Sequence, residues 1–174
     1  MANKTIYLAG GCYWGVEKYM SGMKGVVATE VGFANGNTRA PSYHQVRYEN
    51  TGHAETVKVE YDEDILPLAR LLKLFYLIID PTTVECQGED VGHQYRTGVY
   101  YINKEDAAVA EQSLRELEAK VGKPLAVECC PLEEFWPAEE YHQKYLDKNP
   151  TGYCHVPFEK LLWIKTVDPA TYED

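Results

Sequence analysis

No apolar run in the 174 residues approaches the roughly 20 needed to cross a bilayer as a helix, and positive charge is scarce. Seventeen Lys and Arg stand against 27 Asp and Glu, a net charge of -10 at pH 7. Nucleic acid and anionic membrane are both bound chiefly through surplus Lys and Arg, so this balance argues against either as a partner. The chain lacks repeats, linkers and low-complexity segments, and it carries neither a Gly-rich phosphate loop nor a dinucleotide fingerprint. No C-x-x-C or H-x-x-x-H spacing occurs. Adjacent Cys129 and Cys130 fit tetrahedral geometry poorly, so zinc held among Cys129, Cys130, His142, Cys154 and His155 is a weak alternative, and no metal is expected. Five cysteines at irregular spacing do not make a disulfide scaffold; a reducing, cytoplasmic home is expected. The apolar stretch "TIYLAG" before Cys12 is too short for a signal h-region and leads straight into a helical pattern, so no export or lipid-attachment segment is expected.

What is present suits one domain spanning 1–174: 45% hydrophobic and 25% charged residues, enough to bury a core without staples. Residues 150–174 read as a mobile or loosely docked tail. "KTIYLAG" reads as a strand, and "CYWGVEKYMSGM" as a helix with Val16, Tyr19, Met20 and Met23 on one face that reaches back to Cys12. "GVVATEVGFANG" is strand-like, with Val27, Thr29, Val31 and Phe33 on one side; "ANGNTRAPS" is loop by composition. "HAETVKVEYD" alternates strictly, and "ILPLARLLKLFYLIID" predicts a helix stopping at Asp80-Pro81. After a polar loop come the strand "QYRTGVYYI", a helix over "KEDAAVAEQSLRELEAKVG", a short strand in "LAVECCP" and a helix over residues 137–150 bounded by two prolines. The order β-α-β-β-α-β predicts an α+β protein with a ferredoxin-like two-layer plait: a mixed, largely antiparallel sheet covered by helices, with an added C-terminal helix and an irregular tail.

Cys12 lies where a glycine turn meets a helix N-terminus, where unpaired N–H groups and the helix dipole favour the thiolate, the nucleophilic form. The same position suits a cysteine that only plugs a tight turn, and location alone does not separate the two. In "HAETVKVEYD" the two-residue strand repeat aligns Glu55 with His53, Val57, Val59 and Tyr61. If that face is core, desolvation keeps the carboxyl protonated near neutral pH and ready to donate a proton; if Glu55 sits at a wet strand end, it does nothing of the kind. Fourteen tyrosines include Tyr13, Tyr43, Tyr95, Tyr141 and Tyr153 beside these motifs. Tyr13 and Trp14 suit an apolar wall for a methyl or thioether group, or plain core. Cys154, in the Gly-containing segment "NPTGYCHV", has the setting of a mobile thiol. A cysteine hydrolase pairing Cys12 with His53 or His142 stays open, as does a thiol-based peroxide sensor.

Taken together, "GGCYWGVE", "PSYHQV", "TGHAETVKVEYD", "DPTT", "QGEDVGHQYRTGVYY", "AEEYHQKYLDKNP" and "GYCHV", in order from about Tyr7 to Val156, resemble the peptide methionine sulfoxide reductase A family. The resemblance implies an enzyme that repairs oxidised proteins by reducing the S epimer of methionine sulfoxide, protein-bound and free, as a monomer and with no cofactor beyond thioredoxin or another external dithiol. It implies Cys12 as nucleophile, Glu55 as proton donor to the sulfoxide oxygen, and Tyr43 and Tyr95 as aids at that oxygen. Asp90, Tyr13, Trp14 and Tyr153 are implied as substrate-pocket residues, and Cys154 as the resolving cysteine that closes a disulfide with Cys12. Three positions depart from the family's pattern. Tyr13 replaces the usual Phe, so its hydroxyl is expected to be wetted or bonded at the pocket edge; Cys86 stands where a basic residue is common; and no cysteine follows Cys154. Burial is expected for Cys86, Cys129 and Cys130.

Overall fold

The computed structural model describes residues 3–172. Eight strands form in chain order: β1 (Asn3–Ala9), β2 (Val26–Ala34), β3 (Ala54–Asp62), β4 (Cys86–Gln87), β5 (Asp90–Val91), β6 (Thr97–Tyr101), β7 (Val127–Pro131) and β8 (Phe135–Pro137). Six α-helices accompany them: α1 (Tyr13–Ser21), α2 (Tyr43–Tyr48), α3 (Leu68–Phe75), α4 (Lys104–Val121), α5 (Tyr145–Lys148) and α6 (Phe158–Trp163). The main sheet runs β7-β6-β1-β3-β2-β8, while β4 and β5 form a small separate ribbon. Every neighbouring pair in the main sheet is antiparallel except β6 and β7, which α4 connects as a parallel crossover. The central order β6-β1-β3-β2, with α1 and α3 as the two crossing helices, is the ferredoxin-like plait expected from the sequence.

Strand alternation sends Ile6, Leu8, Val31, Phe33, Val57, Val59 and Tyr61 to the helix-covered face, where they pack with Val16, Tyr19 and Met20 of α1 and with Leu71, Leu72 and Phe75. One strand reading needs correction. Val31 and Phe33 are buried, but Val27 is exposed, because a bulge between Val26 and Ala28 shifts the register and reverses the alternation at the start of β2.

The helix expected over residues 137–150 is also interrupted. Pro137 ends β8, a single 3-10 turn spans Glu140–His142, and only Tyr145–Lys148 is α-helical. The Gln143 side chain accepts from Val31 N at 2.9 Å and donates to Val31 O at 2.8 Å, standing in for a strand neighbour beyond β8. Lys144, left-handed at φ 50, donates its amide to the buried Glu17 carboxyl at 2.7 Å. These contacts with distant residues outweigh the local helix signals. The tail packs on the body through Val156, Leu161, Ile164 and Val167. No helix among the described residues is long and apolar enough to cross a membrane.

Candidate active site

β1 ends at Ala9 and the chain turns through Gly10 and Gly11 into α1. Gly11 has φ +84, and a Cβ there would lie 2.8 Å from Gln87 Cβ, so only glycine fits this turn. Cys12 then takes the extended N-cap conformation and leaves the first amides of α1 facing the interior. The thiol is 7% exposed, and its setting reverses the sequence-based expectation of a readily formed thiolate. Burial raises its pKa far above the ordinary value, Glu55 and Asp90 add to the rise, and the Trp14 amide opposes them weakly. Desolvation outweighs the helix terminus, so the resting sulfur is a neutral thiol.

Two acids hold this turn. The Cys12 amide donates to Asp90 Oδ2 at 3.4 Å, and the next amide, Tyr13 N, donates to Glu55 Oε1 at 3.2 Å. Glu55 reaches α1 from β3, where it faces the core beside Val57, as the alternation required. Gln94 Nε2 donates to its other oxygen at 2.6 Å. Glu55 is 1% exposed, and burial pushes its pKa up to about 8 against the lowering effect of the Gln94 and Tyr13 hydrogen bonds. At neutral pH it is therefore mostly a protonated acid, one residue from the Cys12 sulfur.

α2 delivers Tyr43. It escaped the sequence reading, although Ser42 and Gln45 form a reciprocal capping box whose spacing is visible in "SYHQ". Tyr95 hydrogen-bonds the Tyr43 hydroxyl, and Arg47 Nη1 donates to the Tyr95 hydroxyl at 3.0 Å. Both phenols are held above their ordinary pKa by burial and by Glu55, so they are hydrogen-bond donors.

Trp14 stacks on Tyr145 with ring centroids 3.7 Å apart and donates its indole N–H to His142 Nδ1 at 3.1 Å. His142 packs in turn on Tyr43 at 4.6 Å. Tyr13 lies deeper, 1% exposed against Phe33 and His142, and its hydroxyl has no hydrogen-bond partner. The expectation of a hydroxyl at the pocket edge thus gives way to a buried one without a protein partner, because α1 turns Tyr13 inward and Trp14 outward.

The tail crosses α1 at Gly15. A Cβ there would sit 3.1 Å from Cys154 Sγ and 3.2 Å from His155 Nδ1, so this glycine admits the second thiol one helical turn from Cys12. All five cysteines are free. Tyr153 hydrogen-bonds Asp90, and His155 Nδ1 lies 3.6 Å from Asp90 Oδ2. Cys86, Cys129 and Cys130 are partly exposed rather than buried, since each lies on a peripheral strand.

The site therefore gathers Cys12, Tyr13, Trp14, Tyr43, Glu55, Asp90, Tyr95, Tyr153 and Cys154. Sequence reasoning missed Gln94, Arg47 and the placement of His155 beside Asp90. Gln94 stood beside Tyr95 in a quoted motif, whereas nothing local marks Arg47. His53 is tied to the Thr38 carbonyl at 2.7 Å, and His142 Nδ1 accepts from Trp14 and so serves the wall beside Cys12. Among the described residues, no three His, Cys, Asp or Glu side chains are grouped to hold a metal ion.

The family model described as "Peptide methionine sulfoxide reductase" matches residues 4–167. A peptide methionine sulfoxide reductase MsrA from Lachnoclostridium phytofermentans is 58% identical over 154 residues, 88% of this chain and 93% of that protein. The reduced form of Mxr1 from Saccharomyces cerevisiae superposes with a TM-score of 0.83 at 38% identity, covering 88% of this chain and 89% of that one. Mxr1 in complex with Trx2 gives 0.60 at 25% identity, covering 83% and 85%.

Proposed function

The chain belongs to the peptide methionine sulfoxide reductase family and has that family's thiol-dependent oxidoreductase activity; from this premise we propose that Cys12 reduces the S epimer of methionine sulfoxide, in proteins and as the free amino acid, with Glu55 as the proton donor. The carrying observation is the buried Glu55 carboxyl, pKa about 8, hydrogen-bonded to the amide that follows the nucleophile.

Expelling an oxide-like oxygen from sulfur is prohibitive without a proton, and a neutral acid in a dry pocket supplies one. Glu55 protonates the sulfoxide oxygen while Tyr43 donates a hydrogen bond to it, and Tyr95, itself held by Arg47, assists at that oxygen by donating to the Tyr43 hydroxyl. Cys12 sulfur attacks the substrate sulfur and its own proton replenishes Glu55. This order tolerates a thiol that rests protonated, because proton transfer and attack belong to one event. Trp14, backed by Tyr145 and fixed by His142, forms the wall for the substrate's methyl group, with Tyr13 filling the space beneath. Asp90 and Tyr153 hold the rim on the tail side.

The attack gives an adduct in which Cys12 sulfur and a hydroxyl share the substrate sulfur; the S–S bond then breaks with its electron pair on the substrate as the hydroxyl passes to Cys12, so methionine leaves and Cys12 is a sulfenic acid. Cys154, carried by the tail segment 150–174 of the single catalytic domain, attacks it to form a disulfide with loss of water. An external dithiol of the thioredoxin kind then restores both thiols by exchange; the complex of the related Mxr1 with Trx2 supports this choice. Neither metal nor organic cofactor enters the cycle, and cytoplasmic action by a monomer fits a redox partner of this type. The decisive experiment is turnover of resolved R and S sulfoxide epimers with thioredoxin: S-selective reduction supports the reading, and equal rates or no turnover end it.

A further inference from the structure

His155 is a buried imidazole that the cycle above leaves without a task. Its side chain is 5% exposed, and neither ring nitrogen makes a hydrogen bond of good geometry. Its polar neighbours are the Gly10 carbonyl and Asp90, and a buried imidazole so loosely paired costs stability.

The ring lies across the nucleophile's turn. A Cβ added at Gly11 would meet its Nε2 at 3.1 Å, and one added at Gly15 would meet its Nδ1 at 3.2 Å. Cys154 Sγ lies 3.1 Å from that same Gly15 position, so sulfur and Nδ1 share one cleft over α1. Asp90 Oδ2 stands 3.6 Å from Nδ1. Thiol and carboxyl thus both face Nδ1, so Asp90 stands where it stabilises the proton that this nitrogen takes up rather than orienting the ring through its other nitrogen.

We propose that His155 is the general base of the resolving step, taking the proton of Cys154 and holding it beside Asp90. This rests on the reading of Cys12 and Cys154 given above. Nδ1 accepts the Cys154 proton, and the sulfur's electron pair forms the S–S bond to Cys12. The Cys12 S–O bond breaks with its pair on oxygen, and the imidazolium returns the proton to the departing hydroxide as water. Cys12 sulfenic acid plus Cys154 thiol gives disulfide plus water, and His155 ends as it began. No outside oxidant or reductant takes part.

The charges around the ring suit a transient cation. Burial lowers the His155 pKa below 6.5, so the ring is neutral and able to accept, while Asp90 and the Gly10 carbonyl favour the protonated form. Cys154 is raised above 9.0, chiefly by burial, and its resting thiol donates to the Val156 carbonyl at 3.3 Å, so it needs a base at neutral pH and reaches Nδ1 by turning its S–H away from that carbonyl. A groove of ≈ 670 Å³, floored by Leu146 and Leu161 and reaching both Cys154 and His155, connects the pair to solvent.

The test is a single turnover with excess enzyme and a methionine-S-sulfoxide peptide, following methionine release and thiol loss separately. In His155→Gln, disulfide formation should slow by about a hundredfold relative to methionine release, with sulfenic acid accumulating and trapped by a 1,3-dicarbonyl probe. Added imidazole should restore the rate in His155→Gly. The unmodified enzyme supplies an arm free of folding effects: its disulfide rate should level off near the imidazole ionisation, below pH 6.5. An unchanged ratio in the variant, an equal fall in both steps, or a native rate that climbs past pH 9 with the thiol overturns the proposal. Absence of methionine release in the unmodified enzyme strikes the parent reading instead.

Discussion

The Tyr13 amide and the Glu55 carboxyl are joined at 3.2 Å, so the acid is fastened to the peptide that leaves the nucleophile. That bond, with the one from Gln94, holds the Glu55 carboxyl in place against the first turn of α1 beside Cys12. With the Glu55 pKa near 8, the rate of methionine release should hold through neutral pH and fall above about 8 as the proton is lost. No rise from thiolate formation should appear in the neutral range, because Cys12 titrates far higher. Stopped single-turnover rates between pH 5 and about 10 check this; a rate that climbs through pH 8 contradicts it.

Glu55→Gln retains the shape of the side chain but has no proton to give, and its single amide oxygen can accept from only one of the two donors, Tyr13 N and Gln94 Nε2, that hold Glu55. Methionine release should drop by about 10² to 10⁴ and lose its alkaline limb. Stability carries the same signature. The folded pKa is raised from 4.5, so the stabilising contribution is complete below 4.5 and is lost as pH rises through about 8. Urea unfolding at pH 6 and 9 should show the parent weakening and the variant changing less; a larger loss in the variant contradicts this.

Cys12→Ser should abolish reduction, whereas Cys154→Ser should release one equivalent of methionine and stop. Intact-mass and peptide mapping after one turnover should find a Cys12–Cys154 disulfide in the parent. A bond from Cys12 to Cys86 would reassign the resolving role.

The Tyr13 hydroxyl is buried without a partner, which costs about 1 to 3 kcal/mol relative to a satisfied group. Tyr13→Phe should raise stability to urea by about 1 kcal/mol, since only the unpaired hydroxyl is removed. A loss of stability would reveal a partner for that oxygen.

Gly15→Ala tests the tail crossing. Alanine favours the helix by about 1 kcal/mol, but its methyl would press on Cys154 Sγ, His155 and Val156 at 3.1 to 3.2 Å. Residues 150–157 should become more sensitive to protease and the Cys12–Cys154 bond should form more slowly. An unchanged cleavage rate and bond rate would mean that the tail yields freely.

Periodicity made much of this molecule readable. Glu55 fell on the buried face because strand alternation is local geometry, and Val16, Tyr19 and Met20 fell on the core face of α1 for the same reason. Reading failed where a distant group intervened. The bulge at Val26–Ala28 turned Val27 outward, and Gln143 pairing with Val31 broke a helix whose boundary signals were sound. α2 was missed although its capping box was in view, since six residues give too little period to notice.

From the sequence alone came the plait, the glycine turn before Cys12 and the company of an acid with apolar neighbours, all properties of residues near one another along the chain. Only the tertiary structure decided the protonation of Cys12 and Glu55 and brought Gln94, Arg47 and His155 to them. Protonation follows from the solvent that packing removes and the dipoles it leaves behind, and both depend on segments dozens of residues apart.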